Sequence, residues 1–127
     1  MTEVYKVVRR TSLGTLESAL VFPYNKLCTW YRTDKWAKAP VGGLLVFEDY
    51  QSALRFVEAS GKYPDWEIWL ADAYRPIRLP EKKPWTVRME DLRQCWQTKK
   101  VNGFYSTKWP SGTRAYKFVR LKRRLAP

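Results

Sequence analysis

Apolar and polar residues alternate near both ends of the chain and recur at helical spacing in its middle. In residues 3–10, EVYKVVRR, Tyr5 and Val7 fall on one face and Val4, Lys6 and Val8 on the other, which is the period of a β-strand. TSLGT at 11–15 reads as a turn, 15–22 as a second strand, Pro23-Tyr24-Asn25 as another turn and 26–33 as a third strand, so the chain begins as a meander. Residues 34–43, DKWAKAPVGG, read as a loop: Pro40 withholds a backbone donor and forces extended geometry on Ala39, while Gly42 and Gly43 permit positive φ. The short apolar run GLLVF at 43–47 suits a buried strand.

The helical pattern follows at once. Tyr50, Ala53, Leu54 and Val57 recur at three-and-four spacing, Asp49 can cap the start and Gly61 can end it. After a turn at 62–66, WEIWLADAY at 66–74 returns as a strand in which Trp66, Ile68 and Leu70 alternate with Glu67, Trp69 and Ala71. RPIRLPEKKPW then carries Pro76, Pro80 and Pro84, which reads as an edge or a linker. Residues 89–100 predict a shorter helix with Met89, Leu92 and Trp96 on one side, and Asn102-Gly103 marks a hairpin-type turn. TRAYKFVRLKRR alternates as a last strand, a partner for FYSTKW across a WPSGT turn, before LKRRLAP frays. The sum is an α+β domain: a twisted, mainly antiparallel sheet of about five to seven strands with one clear helix at 49–60 and a short one near 89–99.

Composition narrows the chemistry. A chain of 127 residues fits one domain, and 45% apolar with 16% aromatic residues is too much for a disordered basic tail. There is no histidine, which removes Ser-His and Cys-His nucleophile pairs and the commonest general base near neutral pH. Cys28 and Cys95 read as inert packing thiols, and two cysteines without histidine cannot complete a zinc site within one chain. No cofactor or metal is expected. The glycines lack the spacing of a phosphate-cradling loop, and the acids Glu48-Asp49 suit the positive end of a helix better than acid–base work. No long apolar run and no secretory pattern at the start lead to an expectation of a cytoplasmic protein with no membrane partner.

Charge divides the chain. Residues 1–73 balance nine Lys/Arg against nine Asp/Glu, whereas 74–127 hold fifteen Lys/Arg and only Glu81, Glu90 and Asp91, so the net charge of +12 belongs to the C-terminal part. The expected organisation is therefore a single domain over 1–127, with a neutral strand-helix-strand core in 1–74 and a strongly basic part in 75–127. Cations interleaved with flat rings can follow a nucleic-acid backbone while the rings stack bases. The expected phosphate contacts are Arg88, Arg93, Lys99, Lys100, Lys108, Arg114, Lys117, Arg120 and Lys122, with Tyr105 and Trp109 as stacking rings. The same field could serve solubility alone. It could also steer an inhibitor-like module onto an acidic protein, anchored by an exposed aromatic such as Trp36.

YKVVR near the start, Ser18-Ala19, the 27–31 strand, APVGGLLVF at 39–47 and 53–56 on the following helix resemble small uncharacterised domains of phage and prophage genomes. That resemblance brings no assigned role; the leading expectation is a small non-enzymatic phage-type accessory protein whose basic C-terminal surface binds nucleic acid, in the host cytoplasm if phage-encoded. GLLVF running into the ALRF helix and then WEIWLADA is also similar to the core of ADP-ribosyltransferase-like folds, over residues 3–74. In that family the nicotinamide site uses His-Tyr-Glu or Arg-Ser-Glu, and this chain has no histidine. Arg9 or Arg10, Ser18 and Glu67 are the formal counterparts of the second set, outside the Ser-x-Ser and paired-acid settings of the family. The implication is a degenerate scaffold kept for binding.

Overall fold

Residues 1–19, 29–85, 88–101 and 106–126 are described by a computed structural model. In chain order they form β1 (Thr2–Arg10), β2 (Leu16–Ser18), β3 (Trp30–Tyr31), β4 (Trp36–Lys38), β5 (Leu44–Phe47), α1 (Tyr50–Ala59), β6 (Trp66–Ile77), β7 (Lys83–Pro84), α2 (Met89–Thr98), β8 (Ser106–Thr107) and β9 (Thr113–Ala126). The result is a large antiparallel sheet with two helices, an α+β arrangement richer in strand than the sequence pattern led us to expect.

Alternation in β1 does what the pattern implies. Val4, Lys6 and Val8 are fully buried on one face, and Val7 is fully buried on the other. A strand buried on both faces must lie at the centre, and β1 pairs with β2, β5 and β6. β6 runs between β1 and β9, antiparallel to both. The other edge of β9 holds β5 opposite residues 113–116 and then β4 opposite 118–120. Because Tyr5 of β1 also faces Phe47 of β5, the pairings β1–β6–β9–β5–β1 close on themselves. The sheet is therefore a small ring filled by side chains.

Two apolar clusters result. Inside the ring lie Val4, Val8, Leu16, Tyr31, Leu44, Val46, Ala71, Ala73, Val119 and Leu121. Outside it, Val7, Leu45, Phe47, Ile68 and Ala115 meet Ala53 and Val57 of α1, with Trp96 of α2 and Trp109 packed against them. Asp49 caps α1 through a 2.7 Å bond from the Ser52 N–H, the role its position implied. α2 closes against the turn before β5: Gly42, at φ 67, passes so near Trp96 that a Cβ there would fall inside the indole.

Several expectations need correction. The 34–43 segment is not wholly loop, because β4 pairs Trp36, Ala37 and Lys38 with Arg120, Val119 and Phe118. The 66–74 strand continues through Pro76 to Ile77. β1 ends opposite Ala73, so beyond that point β6 is an edge on that side and can accept a proline. The segment read as an edge or linker also supplies β7, which pairs Lys83 and Pro84 with Thr107 and Ser106 of β8. The WPSGT turn exists, with Gly112 at φ 82, but it delivers β9 to β5 and β6, while Ser106 and Thr107 of the expected partner strand pair with β7. LKRR does not fray: Arg123 and Arg124 pair opposite Leu70 and Trp69, and Ala126 opposite Ile68, across two irregularities in register. The neutral and basic parts thus share one sheet. The 23–25 and 102–103 turns, Cys28, and the portions of the second and third expected strands within 20–28 lie outside the described residues.

Candidate functional site

The basic residues do not form one stripe. Arg88, at the N-cap of α2, pairs with Glu90 at 2.8 Å and Asp91 at 3.6 Å. Arg93 and Lys100 are exposed on or just after that helix, and Lys99 lies at its left-handed C-cap with its ammonium 5.4 Å from the Trp96 ring centroid. Lys108 is exposed after β8. Arg114 leaves the start of β9 to pair with Glu48 at 2.7 Å. Trp109 is half-buried against the helix-covered cluster, and its indole N–H donates to the Pro80 carbonyl at 2.8 Å. It is a packing residue rather than a free ring. Tyr105 lies outside the described residues.

Lys117, Arg120 and Lys122 do come together with something more. Val119 and Leu121 turn into the ring, so strand alternation turns Phe118, Arg120 and Lys122 outward. The strands on either side present matching positions: Trp36 and Lys38 from β4, opposite Arg120 and Phe118, and Asp72 and Tyr74 from β6, opposite the same two residues. Tyr74 stacks on Phe118 with centroids 5.7 Å apart, and Trp36 meets Tyr74 edge-on at 6.3 Å. Neither core cluster includes these rings, and Trp36 and Tyr74 remain 43% and 45% exposed. A cluster of touching aromatics with two of its three rings exposed is not what core packing produces.

Cations surround it. The Arg120 guanidinium lies 4.7 Å from the Trp36 centroid, Arg75 is 5.5 Å from Tyr74, and Lys117 is 5.8 Å from Phe118. Arg120 is held there by Asp72, whose Oδ2 accepts from Nη2 at 2.8 Å. Lys122 stands 3.5 Å from the other Asp72 oxygen and 3.2 Å from Glu3. The Arg120 hydrogen bond, aided by Lys122, holds the Asp72 carboxyl below its ordinary range despite burial. The Glu3 bond pushes Lys122 upward in turn. Asp72 is thus buried beneath the cations as their anchor, while Lys38, Arg75 and Lys117 make no ion pair among the described residues.

The sequence reading missed Tyr74, Arg75 and Lys38 as members of this face. The signal was present in the period of two: Ala71 and Ala73 pointing inward require Asp72 and Tyr74 to point outward. The residues matching a transferase set are engaged elsewhere. Glu67 takes two bonds from Arg10, at 2.6 and 3.0 Å, and one from Trp69 at 3.0 Å. Arg9 pairs with Glu17 at 2.9 Å, and Ser18 accepts from Lys6 at 3.0 Å inside the ring. Cys95 is buried, and that burial pushes its thiol upward. Among the described residues no group of three His, Cys, Asp or Glu side chains could hold a metal ion, and no helix is long and apolar enough to cross a membrane.

Compared with known proteins, the chain matches no family model, no curated protein and no solved structure.

Proposed function

We propose that the protein is a non-enzymatic nucleic-acid-binding protein, and that the outer face of β4, β9 and β6 is its contact surface. The observation that carries this reading is the gathering of Trp36, Tyr74 and Phe118 with Lys38, Arg75, Lys117, Arg120 and Lys122 on one open sheet face. Phosphates would meet the cations, and association would be driven by release of the counterions condensed on the polyanion. The phage-type accessory role and the cytoplasmic setting belong to the same proposal.

A second reading rests on Trp36. An exposed Trp beside an Arg is the composition of a protein-binding hot spot, and a cationic rim would select an acidic partner protein. The two readings separate by salt-titrated fluorescence anisotropy with labelled DNA and RNA, from about 50 to 300 mM salt, where each neutralised phosphate adds roughly 0.7–0.9 to the log–log slope. Lys38→Glu with Lys117→Glu removes two cations that hold no ion pair among the described residues, so the fold should remain. We expect weaker binding and a slope smaller by about two contacts. Binding and slope equal to those of the natural protein would move the interface off this face.

A further inference from the structure

Resting on the nucleic-acid reading, we infer that the face takes single strands, with unpaired bases stacking on Trp36 and Tyr74 while the cations follow the backbone. Paired bases hide their flat faces and present phosphates and groove edges, so a duplex would use the lysines and arginines but leave the rings idle. A single strand exposes base faces, and stacking on protein aromatics suits any base because every base has a π-face.

The geometry favours the strand that uses both features. Trp36 and Tyr74 keep over two-fifths of their surface open at the centre of a cationic patch, where water contact with apolar rings is otherwise unfavourable. They come from β4 and β6, on opposite sides of β9, and Phe118 between them backs Tyr74 in a near-parallel stack of 27°. The rings therefore cross the strands rather than follow one of them. A nucleotide chain laid across β4, β9 and β6 would meet Trp36 and Tyr74 in succession. Arg120 adds a guanidinium plane over Trp36, and Asp72 fixes it there. Asp72 is accordingly a positioning residue, and its burial keeps its charge from facing the phosphates. Stacking and phosphate contact suit any base, so little sequence preference is expected.

The experiment compares labelled oligo-dT, oligo-U and a mixed duplex of equal length on the natural protein, on Trp36→Leu, on Tyr74→Leu and on the Lys38→Glu/Lys117→Glu double variant. Unfolding curves confirm that each variant is folded, and two separate ring variants keep the test usable if one is not. We expect single strands to bind at least tenfold tighter than duplex at about 100 mM salt. Each ring variant should lose about 5- to 100-fold on single strands, with duplex binding and the salt slope unchanged. Equal affinity for duplex, or ring variants within twofold of the natural protein while the charge variant weakens, overturns the stacking inference and leaves the nucleic-acid reading standing. No binding to any of the three probes at about 50 mM salt overturns both. Capture of poly-glutamate under those conditions would then assign the face to an acidic protein.

Discussion

Lys6 sits where an aliphatic side chain would be expected. It is fully buried inside the ring, and its ammonium donates to Ser18 Oγ at 3.0 Å and to the Leu45 carbonyl, 5.5 Å from the Tyr31 ring centroid. Burying a charge is costly unless its donors are satisfied, so this lysine ties β1 to β2 and β5 at the expense of hydration. Lys6→Ala should empty volume and strip both acceptors of their donor, lowering stability by about 2–4 kcal/mol. Lys6→Met refills the volume without a charge and should recover at least half of that loss, as measured by urea unfolding. An equal loss in both variants would place the contribution in the ammonium contacts rather than in filling the ring. The alternation of EVYKVVRR made Lys6 legible as a member of the same face as Val4 and Val8. That this face would close around it depends on β5 and β9, whose partners local spacing does not encode.

At the scale of elements, most of the local pattern was legible, and the long-range pairing was not. Helix α1, its Asp49 cap and the two faces of β1 and β6 follow from periodicity, because each is decided within a few residues. β4 escaped notice because a three-residue strand flanked by Asp34 and Pro40 has no period of its own, and pairing with β9 creates it. The Pro76 end of β6 and the continuation of β9 to Ala126 likewise depend on neighbours. The candidate face was half legible for the same reason. The basic alternation of β9 gave Arg120 and Lys122, whereas Lys117 has the opposite parity and joins them through its 5.8 Å approach to the Phe118 ring, and Trp36 and Tyr74 join through the β4–β9 and β9–β6 registers.

Those registers are also tied by charge. Arg10, with Arg124 at 3.7 Å, meets Glu67, and Arg120 with Lys122 meets Asp72, so acids from the neutral half hold cations from both halves. Burial alone would raise Glu67, but the Arg10 and Trp69 bonds and the nearby Arg124 outweigh it and leave the carboxyl below its ordinary range, as Arg120 does for Asp72. A carboxyl depressed in the folded state stabilises fully above its unfolded pKa, about 3.9–4.3, and loses that contribution as pH falls through the folded value. With no histidine to titrate, the thermal midpoint should be flat between about pH 6 and 8 and fall below about pH 4. Glu67→Gln should cost about 1–2 kcal/mol at neutral pH, discounted for the partial exposure of Arg10, and should reduce the acid slope. An unchanged acid slope would remove Glu67 from the account of acid unfolding.

For the whole molecule, the ring and its helices divide the outer surface. α1, α2, Trp96 and Trp109 cover one side, and the aromatic and cationic face of β4, β9 and β6 is left open. The fifteen basic residues of the C-terminal part are distributed over both: Arg93, Lys99 and Lys100 with α2, and Lys117, Arg120 and Lys122 on the open face. A long-range field from all of them would speed encounter with a polyanion, while the open face adds a cluster of touching rings to hold it. Trp85, just after β7 with its ring centroid 4.4 Å from the Lys83 ammonium, is an exposed ring outside that cluster. The central claim is therefore about location, and two indole N–H groups report it. In a nuclear magnetic resonance titration with short oligo-dT, we expect the Trp36 indole signal to shift and saturate with the backbone signals of 36–38, 72–75 and 117–122. The Trp109 indole, held by the Pro80 carbonyl, and the signals of 93–100 should stay in place. Shifts confined to 93–100 and Lys108, with Trp36 silent, would contradict the account and move the interface to the helix side.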